Sequence, residues 1–520
     1  GILGWLRYEI TVLTALIPPL IIVIGVPNCI FLINKYQQEI ARHQNQAKSL
    51  HRMIAKIGNA TLMTNLTTAS GFATFILTNS KILKEFGVVA SINIIAIFLL
   101  SLLIIPISYS FMALPNKKHL KHLKNKTVDF FVSWMEKTVR VKRVNVYLYS
   151  LLGLVIGITG IYQIKISGSL IEDMPKKAEF FKDILFFDEN FNGIVPLEFW
   201  VDSKRGKGIV KPATLNRMNQ LHSIIEEIPE LATPISVVNA VKYAKQAYYN
   251  GNPNYFALPT SQENSFIYPY LNKSSSNNKL MKGYIDSTGQ FGRITTYMKD
   301  IKTSRLEEIE SDLNRLIKKI FPEDRYGVKI TGKSLLFLKG TKYLINNLVL
   351  SLGLAILLIA IFMAFLFRSF KMILISLIPN LLPLIITAGV MGFTGIPLKP
   401  STILVFSIAF GISVDDTIHF LAKYRQELIA NGWKINNAIF SALRETGISM
   451  FYTSVVLFFG FSIFLSSNFG GTQALGGLVA VTLMMAMLAN LILLPSLLIS
   501  LQDTISNKKV LKEPKLEIID

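Results

Sequence analysis

Asp415 and Asp416 stand side by side in GISVDDTIHFLAKYRQE, with His419 three residues beyond the second of them. The apolar run 401–422 around them has the length of a spanning helix, which puts both carboxylates roughly mid-bilayer. A charge there costs about 2.5–3.5 kcal/mol on insertion scales, so function is the default reason for keeping it. Two carboxylates crowded away from water repel each other and lose hydration. Both effects favour the protonated acid, so at least one could load and release a proton near neutral pH. His419 shares part of that helix face and could relay protons or partner a carboxylate, although a lone histidine can equally be a packed interior residue. The bland alternative has the acids simply capping or hydrogen-bonding neighbouring helices. An intramembrane aspartyl protease would need two carboxyls converging from different elements, whereas adjacent helical residues point about 100° apart. No second acidic residue falls within the other apolar runs. A metal site at Asp415, Asp416 and His419 lacks a further ligand, and there is no GxxxxGK[ST] loop for ATP. The sequence therefore points to no cofactor, no catalysis and a proton gradient as the energy source.

The elements that would position these residues are mostly membrane helices. Of 520 residues, 51% are hydrophobic and 17% charged, against about 25% charged in soluble domains. Apolar runs of spanning length occur at 11–34, 57–78, 86–112, 144–163, 346–367, 371–394, 401–422, 447–467 and 473–501. Placing 35–56 in the cytoplasm puts 113–143, Arg368 to Lys371, 423–446 and the tail after Leu501 there too, and these are the basic segments. The net charge of +21 is thus explained by topology, without nucleic acid. Within 113–143, VDFFVSWMEKTVRVKR mixes aromatics and cations like a helix lying along the membrane interface, or a plain connecting helix. Cys29 stands alone, which excludes an intrachain disulfide. The chain opens on Gly1 rather than Met, and since no charged n-region or cleavage site follows, no signal peptide is expected in it.

Residues 164–343 are polar, and strict alternation puts them outside the membrane. GIVPLEFWVD, FGRITTYMKD and YGVKITG read as strands, and TLNRMNQLHSIIEEIP and SRLEEIESDLNRLIKKIFP read as helices. Two strand-helix-strand units suggest a ferredoxin-like α+β sandwich, with NPNYFALPTSQENSFIYPYLNKSSSNN as a long surface loop.

The chain also repeats. INKYQQEI at 33–40 answers LAKYRQEL at 421–428, Gly71-Phe72 answers Gly460-Phe461, Gly87 answers Gly476 and Pro106 answers Pro495, at an offset of 388 and then 389 residues. This is a parallel repeat of the kind found in secondary transporters. In that register Asp415 falls on Pro27, Asp416 on Asn28 and His419 on Phe31, so only one copy is acidic. The other copy offers Asn28 and Asn34, then Thr64, Asn65, Thr67 and Thr68, as hydrogen-bond partners, although a threonine in a span often bonds its own backbone instead. Gly71, Gly87, Gly460, Gly476 and Gly477 would let helices approach closely. Pro27, Pro379 and Pro383 could kink their spans. Pro18-Pro19 would break the outer part of the first span. The expected organisation is 1–112 as the last spans of a first repeat, 113–143 as a basic cytoplasmic linker, 144–163 as the first span of the second repeat, 164–343 as the outside domain, 344–501 as the remaining five spans and 502–520 as a cytoplasmic tail. By symmetry, three further spans and a second outside domain would precede Gly1.

The GISVDD segment, IPNLLP at 378–383, the parallel repeat and the outside α+β domain together resemble the resistance-nodulation-division superfamily, and within it the MMPL-like exporters. The resemblance implies a helical membrane bundle with a porter-type periplasmic domain in a bacterial inner membrane. It further implies export of hydrophobic or lipid-like molecules by proton antiport, with Asp415 and Asp416 as relay acids. The drug-efflux branch sets an intramembrane lysine opposite its acids. Here Lys35 and Lys423 lie at the ends of their runs and the acids face Asn28, which favours the lipid-exporting side and leaves their counterion unnamed. A lipid sensor resembling sterol-sensing domains and a proton-driven secretion factor are the alternatives. A homo-oligomer or a periplasmic partner is left open.

Overall fold

The computed structural model describes residues 1–11, 13–78, 80–115, 126–167, 171, 173–267, 283–367 and 369–501. The expected tail 502–520, residues 116–125 of the basic linker and residues 268–278 of the long loop lie outside these residues. Two compact units result, one from 1–165 with 344–520 and one from 166–343.

The first unit is a helical bundle. After a short turn α1 (Ile2–Trp5), its first part holds α2 (Ile17–His43), α3 (Gln46–Ala73), α4 (Lys81–Phe111), α5 (Lys126–Val141) and α6 (Arg143–Ile161). Pro18 and Pro19 sit in the first turn of α2, where a missing N–H costs nothing, so they start the helix rather than break it. Gln44 closes α2 in the left-handed region and the Asn45 side chain caps α3 by accepting from the Lys48 amide. On α5, Val128, Val132, Met135 and Val139 form one buried stripe, while Phe130 and Trp134 stay exposed.

Its later part, with helices numbered on from the second unit below, holds α11 (Lys333–Phe367) from Leu344 onward, its first residues belonging to the second unit, then α12 (Phe370–Thr394), α13 (Pro400–Ala430), α14 (Ile435–Ser462), α15 (Gly470–Leu488) and α16 (Leu494–Ser500), with a π-helical turn at Ala489–Leu493. Pro27, Pro379 and Pro383 are all carried inside continuous helices. Eight helical segments among the described residues are long and apolar enough to cross a membrane. The ninth expected span, 57–78, is the second half of α3, which is not among those eight and buries Thr61, Thr64, Asn65, Thr67 and Thr68.

Several boundaries recur at one displacement. α3 runs into a 3₁₀ turn at Thr74–Leu77 and α14 into one at Ile463–Ser466, and all four boundaries are shifted by 389 residues. A Cβ on Gly87 would meet the Phe72 carbonyl at 2.7 Å, and one on Gly476 would meet the Phe461 carbonyl at 2.6 Å. Gly71, by contrast, has open space around it. The tightest seam joins Gly157 and Gly160 of α6 to Gly389 and Gly392 of α12, where backbone touches backbone and no side chain fits.

The second unit holds α7 (Glu179–Asn190), β1 (Val195–Asp202), α8 (Pro212–Glu226), α9 (Val237–Tyr248), β2 (Phe291–Met298), α10 (Thr303–Ile320) and β3 (Gly327–Thr331). β1 is central and antiparallel to both neighbours, in the order β2-β1-β3, pairing Phe199 with Ile294 and with Ile330. Its alternation buries Leu197, Phe199 and Val201 against Leu215, Met218 and Leu221 of α8 and Leu306, Ile309 and Leu313 of α10. Residues 231–235 lie along the other side of β2 through isolated bridges at Leu231 and Ile235. In the described half of the long loop, Glu263 ties the chain down, accepting from Lys245 at 2.7 Å and Tyr249 at 3.0 Å.

His222 is buried in this unit, 2.9 Å from Ser236, the residue that caps α9. Burial, and then the Lys242 charge, bring its pKa down from 6.5 to about 4. The unfolded chain therefore takes up this proton as pH falls below 6.5, while the folded unit resists until about 4. Stability present above 6.5 is lost across that window, by up to about 3 kcal/mol. The isolated fragment 166–343 is predicted to unfold cooperatively, with a midpoint that drops between pH 6.5 and pH 4. Thermal melts should show a shallower drop for His222→Gln, and an unchanged slope would refute the assignment.

Candidate functional site

From Thr402 to Leu421, every residue of α13 except Asp415 is buried, because α3, α12, α14 and α15 surround it. Such a helix cannot turn its polar side chains to water, so each needs a partner on a neighbouring helix. On one side the match is complete. Asn380 of α12 donates to Thr417 Oγ1 at 2.8 Å and accepts from Ser413 Oγ at 2.5 Å. Thr417 in turn donates to Asn490 Oδ1 at 2.8 Å, and Asn490 Nδ2 donates to the Ser413 carbonyl at 3.1 Å. Asn490 sits in the π-helical turn, a distortion common at functional positions.

The acidic side is less well matched. Asp416 is 8% exposed and meets Ser454 Oγ of α14 at a long 3.5 Å. Asp415 points elsewhere, as adjacent helical residues must, so the two acids form no convergent dyad. Its Oδ1 lies 3.3 Å from His419 Nε2 without the alignment of a hydrogen bond, which leaves both atoms buried and unbonded. His419 stacks on Phe31, its counterpart in the sequence register, with ring centroids 4.1 Å apart.

Asn28, Thr64 and Thr68 line a small cavity together with Asp415, and none of them hydrogen-bonds it. Asn28 exchanges amide hydrogen bonds with Asn65 of α3, at 2.9 and 3.1 Å. Thr64 donates to the Thr61 carbonyl of its own helix. Thr68 alone of the three reaches α13, donating at 3.0 Å to the Gly411 carbonyl, one turn before Asp415. Asn34 approaches Ser449 of α14 at 3.4 Å, and Thr67 bonds back to Thr64.

Toward the other end of α13 lies an ion cluster built from helix ends that extend beyond the apolar runs. Glu445 of α14 accepts from Lys35 at 2.7 Å on one oxygen and pairs with Lys423 at 2.6 Å on the other. Lys35 also faces Glu39 at 3.7 Å, and Lys423 faces Glu427 at 2.8 Å. The two lysines set aside as counterions thus meet on one carboxylate, which is itself an acid on a neighbouring bundle helix. Among the described residues, no group of three His, Cys, Asp or Glu is gathered as a metal site would require.

Two parts of this site escaped the sequence reading. Asn380 stands inside the quoted IPNLLP, and Ser413 and Thr417 are four residues apart on one helical face, a signal that could have placed them together. Glu445 was lost because its apolar run was started at 447 while the helix begins at Ile435. Thr417→Val should leave Asn490 Oδ1 without its donor and cost about 1–3 kcal/mol, whereas Thr64→Val, which loses only a bond to its own backbone, should cost under about 1 kcal/mol. Unfolding midpoints of the detergent-solubilised protein would show the difference, and equal midpoints would count against the network.

A family model described as the MMPL family matches residues 8–144 and 274–515. The chain is also 31% identical over 133 residues to membrane protein MJ1562 of Methanocaldococcus jannaschii, whose name marks it only as a candidate membrane protein. That alignment covers 26% of this chain and 34% of the relative, so the chain spans about a third of that protein's length. The matched family segments contain every helix around the acidic site, α2, α3 and α12 to α15, and more than half of all residues. The chain therefore belongs to the MMPL family of the resistance-nodulation-division superfamily.

Proposed function

We propose that this protein exports a hydrophobic or lipid-like molecule from the cytoplasmic membrane in exchange for protons, with Asp415 and Asp416 as the proton-carrying groups. The carrying observation is the buried, unbonded Asp415–His419 contact on a helix enclosed by others. Buried polar groups without an aligned hydrogen bond are rare and costly in a membrane, and a carboxylate that gains and loses a proton as its helices shift has a use for that state.

Three observations support the rest of the reading. A cavity of about 400 Å³ between α5, α6, α12 and α15, walled by Pro383, Ile386, Leu488 and Ile492 with Trp134 and Lys142, suits part of an amphipathic molecule. The recurring boundaries, the matched glycine contacts and the Phe31–His419 stack favour two parallel halves, with the acids in one of them. In the second unit, residues 231–235 extend the sheet past β2 to the edge position that a ferredoxin-like sandwich requires, which favours a porter-type domain. The distribution of Lys and Arg favours an outside position for that unit and a cytoplasmic one for the α5 segment.

Asp415→Asn and Asp416→Asn keep the shape of each side chain and remove its charge. Each variant should fold, and proton-coupled efflux from liposomes under an imposed pH gradient should fall at least about tenfold. His419→Ala should be milder. Undiminished efflux by the double asparagine variant would remove the acids from the mechanism.

A further inference from the structure

One cavity of the bundle links the two charged features that the relay reading leaves separate. It holds about 70 Å³, where a single water needs about 10–15 Å³, so several waters fit. His419 and Phe31 close its inner end, Ala60 of α3, Ala422 of α13 and Ser449 of α14 line it, and Gln426 stands at its exposed end. The rim is the Lys35–Glu445–Lys423 cluster, all three residues of which face the cavity. Its walls are polar enough to hold water: Ser449 is within reach of Asn34, and Thr446 and Gln38 add further groups.

We infer that this cavity is an aqueous access path through which protons pass between His419 and the cytoplasmic end of the bundle. The inference rests on the relay reading and extends it to residues that reading does not use. When Asp415 is protonated, its O–H proton moves to His419 Nε2 across the 3.3 Å gap, leaving a carboxylate and an imidazolium. The imidazolium then releases one of its ring N–H protons to the first water of the cavity and returns to the neutral ring. Phe31, stacked on the imidazole, holds the ring at the junction between acid and water. Glu445, bound by one lysine from α2 and another from α13, fixes the spacing of those two helices at the mouth and keeps the rim wet. Glu39 and Glu427 stand behind the two lysines, and His43 and Arg52 behind Glu39.

The test uses single cysteines in the full chain carrying Cys29→Ser, since Cys29 is the protein's own thiol. Ala60→Cys and Ala422→Cys probe the path, and Ala409→Cys, fully buried on α13 and lining no part of it, is the control. Silver ions, which are close to water in size, are applied to the protein in membranes, and the thiols left free are counted by maleimide after denaturation. Ala60→Cys and Ala422→Cys should be blocked at least about tenfold faster than Ala409→Cys. Equal rates would overturn the path. In a second arm, Ala422→Leu fills the cavity and should slow proton uptake by gradient-loaded liposomes about tenfold with an unchanged unfolding midpoint. Undiminished uptake by a folded Ala422→Leu protein would also overturn it. Silver access does not depend on transport, so the path and the role of the acids can fail independently.

Discussion

Everything around the acidic site follows from the enclosure of α13. A helix buried over twenty consecutive positions, with one opening at Asp415, has no solvent to satisfy its side chains. Its neighbours must supply the partners, and they do so unevenly. Ser413 and Thr417 are locked into a closed network with Asn380 and Asn490, the kind of fully satisfied polar core that specifies one packing. Asp415, Asp416 and His419, a turn or less away, are held by one long contact, one misaligned contact and a ring stack. One face of the helix is fixed by hydrogen bonds, and the other is loosely held.

The contacts that recur across the bundle sharpen this asymmetry. Lys35 and Lys423 converge on Glu445 from α2 and α13, and Phe31 meets His419 ring to ring, so the two helices are matched below and beside the acids. Where α13 carries carboxylates, α2 carries Pro27 and Asn28, and Asn28 is already committed to Asn65. A change of charge at the acids therefore acts on one member of an otherwise balanced pair. This is the arrangement in which a small local event can shift one helix against the other.

The acids were legible in the sequence because a charge within an apolar run has few explanations. The strands of the second unit were legible because alternation survives in Leu197, Phe199 and Val201 and again in β2. What stayed hidden was pairing. An asparagine in a membrane helix looks the same whether it meets an acid or another amide, so Asn28 was placed opposite Asp416 when its partner is Asn65 on the next helix. Asn380 and Asn490 lie 110 residues apart in the chain, and only packing brings both to Thr417. Helix ends posed a different problem. Polar turns that continue a helix past its apolar run fall below any apolar threshold, and Glu39, Glu445 and the two lysines all stand in such turns. α7 and α9, short and mixed in composition, carried too few periods to be recognised.

The linker helix α5 is hitched to α14 by more than its apolar stripe. Arg444 grips Glu136 with two nitrogens, at 2.7 and 3.0 Å, Arg140 closes on the same carboxylate, and its guanidinium lies over Phe440. Arg444 is also the residue next to Glu445. The covalent joint between the two sets of helices is thereby doubled by ion pairs, and the segment around Glu136 is fastened to α14 one residue away from the carboxylate that straps α2 to α13.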